Sequence, residues 1–119
     1  MLLPLLPSRC SDLIKEHGIP LNRWNPGSEE VALDREVALK VLEALAGSNI
    51  AVIGGEVVCI TQGRLKYVYA QWSSARNAGE NSLEFSKRSQ RAAQEYITNF
   101  RPTGDYQPLF VLVLSALQD

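Results

Sequence analysis

A chain of 119 residues with a net charge of −1 is long enough to bury a hydrophobic core and has no excess of positive charge. Apolar residues make up 45% of the chain and charged residues 21%, an ordinary composition for a globular protein. The near-neutral charge argues against general affinity for nucleic acid or an anionic membrane, because both favour a basic excess. We therefore expect one domain over residues 1–119.

The cysteines and the apolar start of the chain lead us to expect a cytoplasmic protein. Cys10 and Cys59 are far apart and lack metal-ligand spacing, so free thiols in a reducing compartment are favoured over a disulfide. Residues 1–7 have no basic residue before their apolar part and contain two prolines, so we expect no signal peptide. No segment reaches the roughly 18 apolar residues of a membrane span.

The first predicted element is a helix over residues 8–17. Ser8 can cap its start, and Gly18 is expected to end it in a left-handed conformation. Residues 19–26 then contain two prolines and read as an irregular connector. We expect Trp24 in this connector to plug the side of the core.

A second helix is predicted to begin after Ser28 and to end at Gly47. Two glutamates would then lie in its first turn, where the helix dipole favours negative charge. The spacing of its charged residues predicts one acidic face, opposite an apolar stripe. The acidic residues of this face are Glu29, Glu36 and Glu43.

Three strands are predicted between the second and third helices. Residues 50–53 read as a buried strand that Gly54-Gly55 break with a turn or a bulge, and residues 56–61 resume it. Gln62-Gly63 suits a tight hairpin turn, and residues 65–72 form the returning strand.

A third helix over residues 82–100 and a last strand over residues 109–114 complete the predicted elements. The unbroken apolar character of the last strand predicts a central position with burial on both faces. The order ααβββαβ predicts an α+β fold, in which about three helices pack on one face of a small antiparallel or mixed four-stranded sheet.

The residues that would indicate an enzyme or a metal site do not form the required patterns. His17 is the single histidine, and a place at a helix end explains it. No glycine pattern typical of a phosphate loop surrounds Gly54-Gly55, and no nucleophile-elbow sequence supports a Ser-His-Asp triad. We therefore expect no catalysis, no metal and no cofactor.

A basic patch on the third predicted helix leaves two interpretations open. Lys87, Arg88 and Arg91 can be an ordinary solvated surface, or they can face a partner of opposite charge. The alternative function that uses this patch is a small nucleic-acid-binding regulatory protein. The net charge and the lack of a recognised motif weigh against that alternative.

A candidate partner surface lies around the end of the third predicted strand. Trp72 can hold its ring rigidly there with one edge exposed, beside a loop of small polar residues. Arg76, Glu80 and Glu84 supply charges of both signs close by. If Trp72 is instead buried core, the acidic face of the second helix is the next candidate. The sequence does not divide the aromatic residues between core and partner anchors.

Six segments, in their order and spacing, carry a resemblance to a known family. They are Pro20-Leu21-Asn22-Arg23-Trp24, the helix over residues 32–45, Ile50-Ala51-Val52-Ile53-Gly54-Gly55-Glu56-Val57, the strand end from Tyr69 to Trp72, Arg88-Ser89 with Ala92 and Tyr96-Ile97, and Leu109-Phe110-Val111-Leu112-Val113. Together they resemble immunity protein 40, a family of bacterial polymorphic-toxin systems, over about residues 18–114. One departure is Ala70-Gln71, where we would expect a more polar Asp-Asn pair.

The resemblance implies a cytoplasmic antidote, made beside a toxin that is secreted or delivered by contact. It implies tight binding of the cognate toxin domain, which protects the producer and its kin in bacterial competition. Such binding needs no catalysis, cofactor or metal. We expect a monomer or a one-to-one complex with the toxin, and no membrane partner.

Overall fold

The computed structural model describes residues 6–117. Its helices are α1 (Ser8–His17), α2 (Arg35–Leu45) and α3 (Ser82–Asn99), and its strands are β1 (Ile19–Pro20), β2 (Val31–Asp34), β3 (Ile50–Thr61), β4 (Arg64–Ser73) and β5 (Leu109–Ala116). None of these helices is long and apolar enough to cross a membrane. The first five residues, part of the segment for which we expect no signal peptide, lie outside the described residues.

The strands form one antiparallel sheet in the order β1-β2-β5-β3-β4. The last strand in the sequence is therefore central, as its apolar character predicts. Strands β3 and β4 form the predicted hairpin through Gln62-Gly63, whose φ values of 54° and 73° are those that a two-residue turn of this kind requires.

The predicted α+β class is confirmed, but the strand count and order ααβββαβ are wrong. The described chain has five strands instead of four, in the order αββαββαβ. Residues 50–61 form a single strand, because Gly54-Gly55 continue the pairing with both neighbours instead of turning the chain. The pairing with β5 shifts register between Val52 and Gly54. The structure therefore has a bulge here, which was one of the two predictions for Gly54-Gly55, and not a turn.

The predicted start of the second helix at Ser28 is wrong. The segment that follows it forms β2, because its backbone pairs with the central strand, Ala32 opposite Val111 and Leu33 opposite Phe110. Helix α2 begins only after Asp34, whose side-chain oxygen accepts a hydrogen bond from the backbone N–H of Val37 at 2.8 Å.

The predicted left-handed stop at Gly18 is also wrong, since Gly18 has an extended backbone with φ −73° and ψ 148°. Close packing explains the glycine instead. A Cβ atom at this position would lie 2.3 Å from Cγ1 of Val31 and 2.5 Å from the carbonyl oxygen of Ile14. The start of α1 has no side-chain cap, so the predicted capping by Ser8 is wrong too.

All three helices pack on one face of the sheet, where the larger core lies. Its largest fully buried side chains include Phe110, Leu45, Ile97 and Val41. A smaller apolar cluster lies on the opposite face, under the connector that follows β1. There Trp24 packs against the cluster as predicted, and its indole N–H donates a hydrogen bond to the carbonyl of Gly63 at 2.8 Å.

Candidate functional site

Trp72 lies on the side of β4 that faces the helices. Its ring stacks on Tyr96 of α3, with ring centroids 4.5 Å apart, and passes directly over Gly55 of β3. The indole N–H is buried and has no hydrogen-bond partner among residues 6–117. Trp72 is partly buried and packs against the core, and its role as a partner anchor stays a prediction.

The loop over residues 74–81 is tied to α3 by Arg88. The guanidinium donates to both carboxylate oxygens of Glu80, at 2.7 Å and 2.9 Å, and to the carbonyl of Ala75 at 2.6 Å. The hydrogen bonds from Arg88 and from the backbone N–H of Asn77 lower the pKa of Glu80 to about 2. Glu80 therefore serves as a local anchor, with only 12% of its side chain exposed.

The other two charged residues of the predicted surface also have partners within the chain. Arg76 donates from Nε to the carbonyl of Glu80 at 2.8 Å. Glu84 and Asn81 form a reciprocal capping box at the start of α3, each side chain accepting a hydrogen bond from the other's backbone N–H. The structure thus brings Arg76, Glu80 and Glu84 together around one loop, and gives each a structural role.

Of the three glutamates predicted to form an acidic face on the second helix, two lie on α2. Glu36 and Glu43 are exposed on α2, and Glu36 forms an ion pair with Lys40 at 3.2 Å. Glu29 lies in the loop before β2, because the helix begins later than predicted. Its assignment to this helical face is therefore wrong.

The predicted basic patch divides between two sides of α3. Lys87 and Arg91 line a groove of about 540 Å³ between α2 and α3, which also contains Glu43. Arg88 points to the loop and is paired with Glu80. Arg88 is therefore paired with one carboxylate, and Lys87 and Arg91 share their groove with a second carboxylate, that of Glu43. The positive potential of the patch is lower than the sequence alone suggests.

The sheet face opposite the helices carries a surface that the sequence did not predict. Val111 of β5 stands opposite Glu56 of β3, which in turn stands opposite Gln71 of β4, so their side chains project from the same side of the sheet. The connector with Leu21 and Trp24 covers one end of this side. The rest is a shallow, partly apolar depression.

Two exposed aliphatic side chains line this depression. Ile53 is 37% exposed and Val113 is 44% exposed, and both border a volume of about 320 Å³ together with Glu30, Glu56 and Gln71. The prediction that the last strand is buried on both faces is therefore wrong at Val113. The helices pack on the other face, and the connector covers only the end near Leu109.

Glu56 lies in this depression close to Glu30. Its own burial and then the charge of Glu30 raise the pKa of Glu56 above the ordinary value. Within residues 6–117 neither carboxylate forms an ion pair. The depression therefore combines apolar side chains with two carboxylates that pair with no Lys or Arg of the described chain.

Tyr69 projects from a bulge at the edge of the same surface. The pairing of β3 and β4 shifts between Val57 and Val58, which leaves two residues, Val68 and Tyr69, without partners. Tyr69 has a φ of 58°, a left-handed backbone that is rare for an aromatic residue, and its side chain is 96% exposed. With Tyr67 it borders a second depression of about 250 Å³, which shares Glu56 and Gln71 with the first.

We call this continuous surface the open face. It consists of Glu30, Ile53, Glu56, Tyr67, Tyr69, Gln71 and Val113. One signal for it was present in the sequence: Tyr67 and Tyr69 lie two residues apart in β4, the spacing that places side chains on one face of a strand. Within the described part of the chain, no group of three or more His, Cys, Asp or Glu side chains could hold a metal ion.

The sequence of this chain matches a known protein family over most of its length. The sequence pattern of immunity protein 40 matches residues 20–114, about four fifths of the chain. The chain belongs to the immunity protein 40 family. The match extends from β1 to β5, so it includes the whole sheet except the first residue of β1 and the end of β5. No curated protein and no solved structure matches the chain.

As a member of the immunity protein 40 family, the chain has a role in immunity to a toxin. Immunity proteins are in general not catalysts, and their partner is in general a toxin. A protein of this kind needs a surface for protein recognition. The structure offers three surfaces to consider: the Trp72–Glu84 region, the exposed glutamates of α2, and the open face.

Proposed function

We propose that this immunity protein 40 chain binds a cognate bacterial toxin domain and neutralises it without catalysis. The family match over residues 20–114 carries the proposal. The protein acts in the cytoplasm as one domain, free as a monomer and bound to the toxin in a one-to-one complex.

An inhibitor that works by binding alone must hold its target tightly, because each toxin molecule that escapes remains active. A dissociation constant of about 1 nM corresponds to about −12 kcal/mol of binding free energy. A typical specific interface takes about 800 Å² from each partner. That area is roughly a tenth of the 7312 Å² surface of this protein, so one side of the sheet or of the helical layer is large enough.

The surfaces predicted from the sequence remain candidate contacts within this proposal. Trp72, Arg76, Glu80 and Glu84 form one, and the exposed glutamates of α2 form the other. Because Trp72 and Glu80 have structural roles, their substitution alters folding and does not report on binding alone. Glu43→Lys is a cleaner probe, because Glu43 is exposed on α2.

Co-expression with the toxin tests the proposed function directly. The toxin to use is the C-terminal domain of a toxin-like protein encoded beside this chain. We expect the chain to restore growth of cells that make this domain, and to co-purify with it in a one-to-one complex. Light scattering after size-exclusion chromatography measures the stoichiometry.

Titration of the toxin's activity then separates binding from catalysis. If the chain acts by binding, activity falls in proportion to added protein and reaches its minimum at a one-to-one ratio. Complete loss of activity at a small fraction of that ratio would show that the chain modifies the toxin catalytically. Failure to restore growth and to form a complex would contradict the proposed function itself.

A further inference from the structure

The open face has the apolar content of a protein recognition surface. Ile53 and Val113 lie exposed in the middle of the sheet, and Tyr69 stands almost fully in solvent at its margin. Rigid aromatic and aliphatic anchors of this kind supply much of the binding free energy in protein interfaces. Val113 projects from a strand that is paired with β3, so little order has to be gained there on binding, whereas the exposed ring of Tyr69 has to be fixed by the partner.

The charges of the open face specify the chemistry of its partner. Glu30 and Glu56 line the same depression, where the burial of Glu56 and then the charge of Glu30 raise the pKa of Glu56. Neither carboxylate forms an ion pair within residues 6–117. A cationic side chain between them would offset both the repulsion and the desolvation, which makes the site complementary to Lys or Arg.

We propose that the open face is the toxin-binding surface, and that it receives a Lys- or Arg-bearing segment of the toxin domain with its cationic group between Glu30 and Glu56. This inference rests on the proposed function. The aliphatic stem of the basic residue lies along Ile53 and Val113. Tyr69 packs its ring against the same segment.

A second copy of the chain is a poor occupant for the same surface. In a two-fold symmetric dimer the open face of one protomer would meet the open face of its partner. Such an interface would enclose four carboxylates, two from each protomer, and the open face as defined above contributes no Lys or Arg to offset them. A basic partner removes this conflict.

Two substitutions test the inference with folding and binding measured separately. Glu56→Lys reverses the charge of the depression that Ile53 and Val113 line. We expect this variant to bind the toxin about 30-fold or more weakly while the protein stays folded. Tyr69→Asn removes the ring but keeps a residue that tolerates a left-handed backbone, so we expect weaker binding by roughly 10-fold without a lower melting temperature. Calorimetry with the toxin C-terminal domain and thermal melts provide the two readouts.

The matched control is Glu95→Lys, the same charge reversal at an exposed position of α3 that belongs to none of the three candidate surfaces. We expect Glu95→Lys to bind the toxin within about twofold of the wild type, since distant exposed charges contribute little. If Glu43→Lys, the probe of the acidic face of α2, abolishes binding while Glu56→Lys and Tyr69→Asn bind normally, the toxin docks on the helical layer and the inference is wrong. If both open-face variants and the control bind normally, it is wrong as well.

The result separates this inference from the proposed function. If the wild-type protein binds the toxin and the open-face variants bind equally well, only the choice of surface fails. If the wild type neither binds the toxin nor restores growth, both fail. A concentration-dependent dimer of the wild-type protein that Glu56→Lys dissociates would assign the open face to a second copy and overturn the inference.

Discussion

Gly55 determines how closely an aromatic row can approach the sheet. The ring of Trp72 passes over Gly55 and stacks on Tyr96, and the row continues through Phe100 to Phe110 with centroid separations of 6.0 Å and 5.9 Å. The backbone of Gly55 is not left-handed. The missing side chain matters here for the space it leaves, because the ring occupies the place of a Cβ atom.

Gly55→Ala is therefore expected to destabilise the protein. The new Cβ would lie 2.2 Å from Cη2 of Trp72, so the ring or the strand has to move. Overpacking of this kind costs about 1–3 kcal/mol, which corresponds to a drop of several degrees in melting temperature. Thermal melts measure the effect.

Gly104→Ala is the matched control for this prediction. A Cβ at Gly104 would meet Tyr106 at an ordinary distance of 3.4 Å, so the same substitution has space there. We expect its melting temperature to stay close to that of the wild type. Equal melting temperatures for Gly55→Ala and Gly104→Ala would contradict the packing role of Gly55.

At the scale of elements, the ion pair of Glu80 and Arg88 fastens a loop to a helix. Because Arg88 holds the pKa of Glu80 at about 2, below the usual value near 4.3, the folded state favours the charged carboxylate. The pair therefore stabilises the fold fully above about pH 4.3, and this contribution is lost as the pH falls towards 2.

We expect the difference in melting temperature between wild type and Glu80→Gln to be largest near pH 6 and to shrink below pH 4. Melts across this range measure it. Glu36→Gln serves as the control, because its i,i+4 pair with Lys40 is exposed and should give a small difference throughout. A difference for Glu80→Gln that does not change with pH would rule out the ion pair as its cause.

The elements that the sequence predicted well are those with a strong local signal. Asn81 precedes α3 and Glu84 completes its capping box, so this helix could be placed from its own residues. Strand β2 could not be placed in this way. Its few apolar residues also fit the start of a helical stripe, and the two glutamates before them are typical of the first turn of a helix. Pairing with β5 decides their conformation, and that pairing joins residues far apart in the chain.

The candidate site was harder to predict than the fold, because it depends on what remains uncovered. Val113 lies in an apolar run that is typical of a strand buried on both faces, and only the positions of the helices and the connector leave it exposed. The left-handed backbone of Tyr69 follows from the register of β3 against β4. No local sequence pattern records either fact.

At the scale of the whole molecule, the two cysteines report on cooperative unfolding. Both thiols are free and buried, Cys10 in α1 and Cys59 in β3. Burial raises the pKa of Cys10, which lowers the amount of reactive thiolate. We expect neither thiol to react with Ellman's reagent in the native protein, and both to react at the same denaturant concentration.

The variants Cys10→Ala and Cys59→Ala assign each reaction to one thiol. Helix α1 contacts α2 and β2 but has no extensive contact with β3. If Cys10 reacts at a clearly lower denaturant concentration than Cys59, α1 detaches before the sheet unfolds. That outcome would contradict a single cooperative transition.

The bulge at Tyr69 also bears on how the protein avoids aggregation. Strand β4 is an outer strand of the sheet, and an unpaired outer strand can add strands from other copies without limit. The bulge interrupts its regular hydrogen-bonding row, and Arg64 and Lys66 place positive charges along it. The opposite edge, β1, has only two residues, one of them Pro20. With both borders closed to such growth, one side of the sheet can stay exposed to water without the sheet extending from copy to copy.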